Sequence, residues 1–145
     1  MREIRFRGKT DCGKWVYGYY YAEYPYQCII SDEERKKQEK HWIVWQENMD
    51  LALTRMVRAQ VDPATVGQYT GLNDENGQEI YEGDFLRYEE RNVIVVFEQG
   101  SFQAQRHGGL APLRYHLLIN SHTANAVIIG NIHDNPELLK EDNHA

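Results

Sequence analysis

Thr65-Val66-Gly67-Gln68-Tyr69-Thr70-Gly71-Leu72-Asn73-Asp74-Glu75-Asn76-Gly77-Gln78-Glu79-Ile80-Tyr81-Glu82-Gly83-Asp84 reads as short strands joined by tight turns. Asn76-Gly77 is the strongest hairpin signal in the chain, because both residues tolerate positive φ. Glu82-Gly83-Asp84 makes a second tight turn. Almost every residue of the run has a structural job, and none has an obvious chemical one. C-terminal to it, Phe85-Leu86-Arg87-Tyr88 leaves as a strand, and Glu89 to Asn92 turns. Val93-Ile94-Val95-Val96-Phe97 follows as a strand too apolar to be half exposed. Gln99-Gly100 turns the chain, and Ser101 to Gln105 pairs back on it. After a break at His107-Gly108-Gly109, Tyr115 to Ile119 and Ala126 to Ile129 read as two more strands, joined by a polar loop over Asn120 to Asn125. Short strands at this spacing predict a small barrel. Asn135-Pro136-Glu137 is a helix start, with Asn135 as cap and Pro136 at the first position. Leu138 and Leu139 dock this last turn, and the tail beyond frays.

On the N-terminal side, Val61-Asp62-Pro63 marks a boundary, because Pro63 biases Asp62 away from helix. Two parts follow, 1–62 and 63–145. In the first, Ile4 and Phe6 alternate with Arg5 and Arg7, giving a short strand that Gly8 ends. Asp11-Cys12-Gly13-Lys14 turns into Trp15-Val16-Tyr17-Gly18-Tyr19-Tyr20-Tyr21, whose aromatic and β-branched content favours strand. Trp15, Tyr17, Tyr19 and Tyr21 share one face, and Gly18 on the other marks a bulge or a close backbone approach. The two strands pair as a hairpin. Gln27-Cys28-Ile29-Ile30 is a further short strand after Pro25. Ser31 to Lys40 is a charge run with a Ser31/Glu34 capping box and no apolar stripe; the reading favours a loop over an exposed helix. Trp42-Ile43-Val44-Trp45 reads as a strand, Met49 to Leu53 as a helical turn, and the second half of Thr54 to Val61 as a strand.

The chain of 145 residues is long enough for one compact domain or two small ones. Its net charge of -6 argues against non-specific nucleic-acid binding by the whole surface, while leaving room for a local basic patch. Cys12 and Cys28 are too few for a secreted disulfide framework and read as reduced thiols. The charged start Met1-Arg2-Glu3-Ile4-Arg5-Phe6-Arg7 has no apolar segment after it, and no stretch approaches a membrane span. The expectation is a cytoplasmic protein with no membrane partner.

Four constellations bear on chemistry. Asp74, Glu75, Glu79, Glu82 and Asp84 form an acidic cluster that hard cations would suit. The calcium-loop template fails, because Gly77 at its sixth position puts Leu72 at the first and Gly83 at the twelfth. The acids read instead as turn and capping residues. Glu82 and Asp84 have the spacing of paired carboxylates but no His, Ser or Cys partner. His107, His116, His122 and His133 are scattered and far from either cysteine, unlike zinc ligands; His133 sits beside the Asn135 cap. There is no phosphate loop, nucleophile elbow or CxxC pair. No catalytic residue, cofactor or metal is assigned. The fourth is the stripe Trp15, Tyr17, Tyr19 and Tyr21 beside Arg5, Arg7, Lys9 and Lys14, whose aromatics and cations suit stacked bases and phosphates. The competing reading is an aromatic face packed in a core or an oligomer interface.

Three blocks resemble the YopX family. Ile4-Arg5-Phe6-Arg7-Gly8-Lys9 with Gly13-Lys14-Trp15-Val16-Tyr17-Gly18 looks like its N-terminus, and Thr65 to Asp84 like its central signature. Gly130-Asn131-Ile132-His133-Asp134-Asn135-Pro136-Glu137-Leu138-Leu139 is similar to its C-terminal block. Tyr21 to Met56 departs most. The resemblance implies a phage or prophage protein in the cytoplasm of an infected bacterium, with an α+β N-terminal part and a β-barrel C-terminal part. It implies a homo-oligomer, a hexamer among its candidate stoichiometries, and carries no catalytic residues.

The expected fold is therefore α+β and mostly β, with a small SH3-like barrel at the C-terminal end. The expected function is a non-enzymatic phage accessory, a homo-oligomeric module that contacts an unknown phage or host protein. Its alternative is a nucleic-acid-binding regulator using the basic–aromatic sheet. A third reading, a small hydrolase using the acidic cluster with a metal, stands behind both.

Overall fold

The computed structural model describes residues 3–24, 31–106, 114–115 and 123–141. Strand accounts for 59% of it and helix for 9%, so the protein is mostly β with two antiparallel sheets. The strands are β1 Phe6–Lys9, β2 Trp15–Glu23, β3 Lys40–Asn48, β4 Thr54–Gln60, β5 Asp62–Asn73, β6 Glu79–Tyr81, β7 Asp84–Tyr88, β8 Arg91–Glu98, β9 Ser101–Arg106, β10 Arg114–Tyr115 and β11 Val127–Asn131. The short helices α1 Asp32–Gln38 and α2 Leu138–Glu141 accompany them. One sheet runs β4-β3-β2-β1-β5-β6 and the other β10-β9-β8-β7-β11. No strand pairing among the described residues closes either sheet into a barrel. No helix among them is long and apolar enough to cross a membrane.

The chain divides into two compact units, 4–67 and 68–145 with 1–3. The boundary read at Val61-Asp62-Pro63 marks the entry into β5, a single strand whose residues belong to both units.

In the unit 4–67, β1 and β2 form the expected hairpin, with Arg7 opposite Tyr17 and Lys9 opposite Trp15. Gly8 continues β1 rather than ending it, because the backbone passes so close to Val61 that a Cβ there would lie 2.9 Å from the Val61 Cβ. Val16, Ile43 and Val61 are buried, with Phe6, Tyr20, Trp45, Ala59 and Val66 packed against them. Along β1 to β4, Phe6, Val16, Tyr20, Ile43, Trp45 and Ala59 point to this one side, as period-two geometry requires. The Tyr20 hydroxyl lies 2.6 Å from His41 Nδ1, giving the polar tip of a half-buried aromatic its partner.

Two further expectations here are corrected. Ser31 to Lys40 is not a loop: α1 spans Asp32–Gln38, and the Ser31 hydroxyl and Glu34 carboxylate complete the capping box reciprocally. The cap and the first-turn acids suffice without an apolar stripe. Met49 to Leu53 is not a helical turn but the connection of the β3–β4 hairpin, closed by the Met49 N–H donating to Leu53 C=O, with Leu51 and Ala52 at positive φ. Pairing of β3 along the whole of β4, from Trp42 opposite Gln60 to Asn48 opposite Thr54, overrides the local helical preference. The strand expected over Gln27 to Ile30 lies outside the described residues.

In the unit containing 68–145, the turns fall where the residues place them. Gly77 has φ 78° and Gly83 φ 91°. Ile80, Leu86, Val93, Val95, Ala104 and Ala126 form the core, with Tyr88 and Ile128 against it. Strand β8 alternates instead of being buried on both sides: Val93 and Val95 are inside, Ile94 and Val96 are half-buried, and Phe97 is exposed against Phe102. One sheet face is all that this core covers. Strand β9 pairs back on β8 as expected, from Glu98 opposite Ser101 to Val93 opposite Arg106. Asn135 accepts from the Asn131 N–H through its side chain, ahead of α2. Of the segment Tyr115 to Ile119 only Tyr115, in β10, is described; His107-Gly108-Gly109, His116 and His122 also lie outside the described residues.

Candidate functional site

Sheet register decides which side chains meet. In antiparallel pairing directly opposite residues point to the same face. Tyr17 and Trp15 therefore share a face with Arg7 and Lys9. Tyr19 and Tyr21 share it with Val44 and Trp42 of β3, and these in turn with Arg58 and Gln60 of β4. The stripe expected on β2 is thus the middle of a four-strand face. Tyr17 is 45% exposed, Tyr19 65% and Tyr21 37%, against a buried Val16 on the other side. The open side of this sheet is the aromatic one.

The cations of the face are ordered by the rings. Arg58 lies 3.9 Å above the Trp42 ring centroid and donates to the Tyr21 hydroxyl at 2.6 Å. Its guanidinium is 4.0 Å from Glu23, which accepts from the Trp42 indole N–H at 2.9 Å. Cation–π contact with a flat guanidinium holds such a group in one orientation while leaving its edge available. At the other end, Arg7 sits 4.8 Å and Lys9 5.8 Å from the Trp15 ring.

The expected site residues do not all assemble. Arg7 is only 6% exposed, so its charge is packed against Trp15 and not presented. Arg5 lies one residue ahead of β1 and is half-buried. Lys14 precedes β2 on the alternate side, where its charge acts on Glu47. Lys9, Trp15, Tyr17, Tyr19 and Tyr21 remain together. Trp42, Val44 and Arg58 were missed. Their signal was present as alternation within Trp42-Ile43-Val44-Trp45 and across Arg58-Ala59-Gln60-Val61, but nothing local says that β3 and β4 extend the sheet of β2.

Asp74 and Asp84 of the 65–84 run serve the backbone. Asp74 is 5% exposed; its Oδ1 accepts from the Asn76 and Gln78 N–H groups, both at 2.9 Å, and its Oδ2 from the Ile128 N–H at 3.1 Å. Asp84 accepts from the Tyr81 N–H at 2.8 Å, and Glu79 from the Tyr81 hydroxyl at 2.7 Å. His133 donates its backbone N–H to Asn131 Oδ1, in the turn before α2. Among the described residues no cluster of three His, Cys, Asp or Glu side chains has metal-binding geometry.

Glu82 is half-buried, and burial raises its carboxyl above the ordinary range. A raised folded-state pKa favours the protonated form, so its contribution to stability is fully present below the unfolded pKa and is lost as pH rises through the folded one. Glu82→Gln is therefore expected to raise the melting temperature near neutral pH, with the gain vanishing in acid. Melts across that range check it; an equal shift at every pH would mean the charge is not the cause.

A concave surface of about 620 Å³ lies beside Thr10, Cys12, Ala59, Val61 and Pro63. The Cys12 thiol there is held below its ordinary pKa, first by the Thr10 hydroxyl and then by the Lys14 amide. Among the described residues its lining offers no histidine.

Against known proteins, the model of the family described as YopX protein matches residues 5–140. No curated protein matches the chain. Among solved structures, the crystal structure of protein EF1440 from Enterococcus faecalis is similar at 20% identity, covering 96% of this chain and 99% of that one with a TM-score of 0.46.

Proposed function

The chain belongs to the YopX family, and from that premise we propose a non-enzymatic phage or prophage accessory protein. It acts in the cytoplasm of a bacterial host as a homo-oligomeric interaction module whose working surface is the open face of the β1–β4 sheet. The observation that carries this reading is the exposure of Tyr17, Tyr19 and Tyr21 on one face, with the half-buried Trp42 and Val44 beside them. Tyrosine and tryptophan at a surface supply large contact area at low conformational cost and mark interaction sites. Assembly of identical subunits repeats that face around a closed symmetry, so weak contacts add. The non-enzymatic part is supported by the acidic run, whose buried carboxylate Asp74 is occupied with three backbone amides. Within the reading, the second unit is an SH3-like barrel; the meander β7-β8-β9-β10 with β11 returning beside β7 supports this.

Light scattering on the purified protein at micromolar concentration tests the assembly. A mass that is a multiple of the chain is expected. A monomer would remove the oligomeric part.

A further inference from the structure

We infer that the open β1–β4 face binds single-stranded nucleic acid, a step that rests on this face being the working surface. The first argument is charge. The whole chain is acidic, with 22 acids against 16 Lys and Arg, yet this face is not. Among β1–β4 residues presented on it are Lys9, Lys40 and Arg58, and Glu23 at the end of β2 is the one acid. A cationic face on an acidic protein complements a polyanion and repels a copy of itself. Face-to-face pairing of two chains by a two-fold axis would set like charges against like.

The second argument is geometry. Tyr17, Tyr19 and Tyr21 occupy alternate positions of one strand, so neighbouring rings stand about 7 Å apart along it. Bases in a duplex strand are spaced at about 3.4 Å and are already stacked on each other. Only an unpaired strand can spread its bases to the tyrosine spacing and offer a π-face to each ring. Lys9 lies at one end of this row and Arg58 beside Tyr21 at the other, so the tyrosines lie between two cations. Stacking is sequence-tolerant, so the expected ligand is any single strand, with no base read by hydrogen bonds.

Fluorescence anisotropy with short labelled oligothymidylate and oligouridylate, and a duplex of equal length, tests this on the full chain. The single strands are expected to bind saturably and the duplex more weakly. With two phosphate contacts the affinity should fall roughly sevenfold between about 50 and 200 mM salt. Y17A and Y19A should each weaken binding by roughly tenfold, Y19A with unchanged melting temperature because its side chain is 65% exposed. K9Q with R58Q should flatten the salt dependence. No binding at low salt, equal binding of duplex, or Y19A binding as well as the parent would each overturn the inference. Light scattering on Y17A/Y19A separates the two readings. If nucleic acid does not bind but the double variant changes the assembly mass, the face stands as a working surface with a protein occupant and the inference falls. If neither binding nor mass responds, the inference falls, and the mass of the parent chain alone decides the oligomeric reading.

Discussion

Gly18→Ala is expected to destabilise the protein by about 3 kcal/mol, at the upper end of what overpacking costs. A Cβ on Gly18 would lie 2.2 Å from the Val44 carbonyl oxygen and 3.2 Å from the Trp45 Cβ. The obstacle is β3 backbone, which cannot rotate aside as a side chain would. It also sits between the Tyr19–Val44 and Trp45–Val57 pairings, so relief there shifts the register that builds the open face. The sign of the effect is diagnostic. In an uncrowded strand Ala is favoured over Gly by roughly 0.5–1 kcal/mol, so an open site would gain stability. Urea unfolding measures it, with a fall in midpoint of about 1 M or more expected at an ordinary denaturant slope. A variant as stable as the parent would mean that β2 and β3 do not approach this closely. Gly71→Ala is the control: no atom lies within 4 Å, and only its φ of 84° opposes a side chain. Its cost is expected to be about 1 kcal/mol.

Asp74→Ala is expected to cost about 3–4 kcal/mol, since hydrogen bonds to a charged group contribute ~1.5–3 kcal/mol each and three of them share one carboxylate. Two of the donors, Asn76 and Gln78, belong to the 74–78 turn, and the third, Ile128, pairs with Leu86 where β11 lies against β7. One buried side chain therefore joins the hairpin to a strand 54 positions away in sequence. Asp74→Asn separates the two duties. Its carbonyl oxygen still accepts from the turn, but its NH2 group would face the Ile128 N–H, donor against donor. A loss of about 2 kcal/mol is expected for it. Amide hydrogen exchange at Ile128 should accelerate in both variants, while Gln78 stays protected in Asn and not in Ala. If Asn matched the parent in stability and in Ile128 protection, the long-range bond would carry no weight.

Both positions stand out in the sequence, but unequally. Gly18 interrupts an aromatic strand, and that alone predicts a close approach or a bulge. Asp74 precedes Asn76-Gly77 and reads as a turn acid. Its bond to Ile128 is invisible, because nothing local ties residue 74 to residue 128. The Ser31/Glu34 box was likewise legible, yet the absence of an apolar stripe argued for a loop; capping outweighed it in α1. Met49 to Leu53 failed in the other direction. Its residues favour helix, and only the β3–β4 ladder on both sides forces Leu51 and Ala52 to positive φ.

The sequence by itself determined the period-two strands, the turn positions at Gly77 and Gly83, the segregation of Trp15, Tyr17, Tyr19 and Tyr21 to one face of β2, and the family. Each of these is local, written in neighbouring residues through sterics and side-chain alternation. The tertiary structure alone decided that this face is the open one. It also brought Trp42 and Arg58 onto it, packed Arg7 beneath, and turned Lys14 away. The reason is that alternation tells which residues travel together but not which side is covered. Covering, and the register that joins β2 to β3 and β4, follow from pairing between distant segments, and a slip of one residue in that pairing would exchange the two faces.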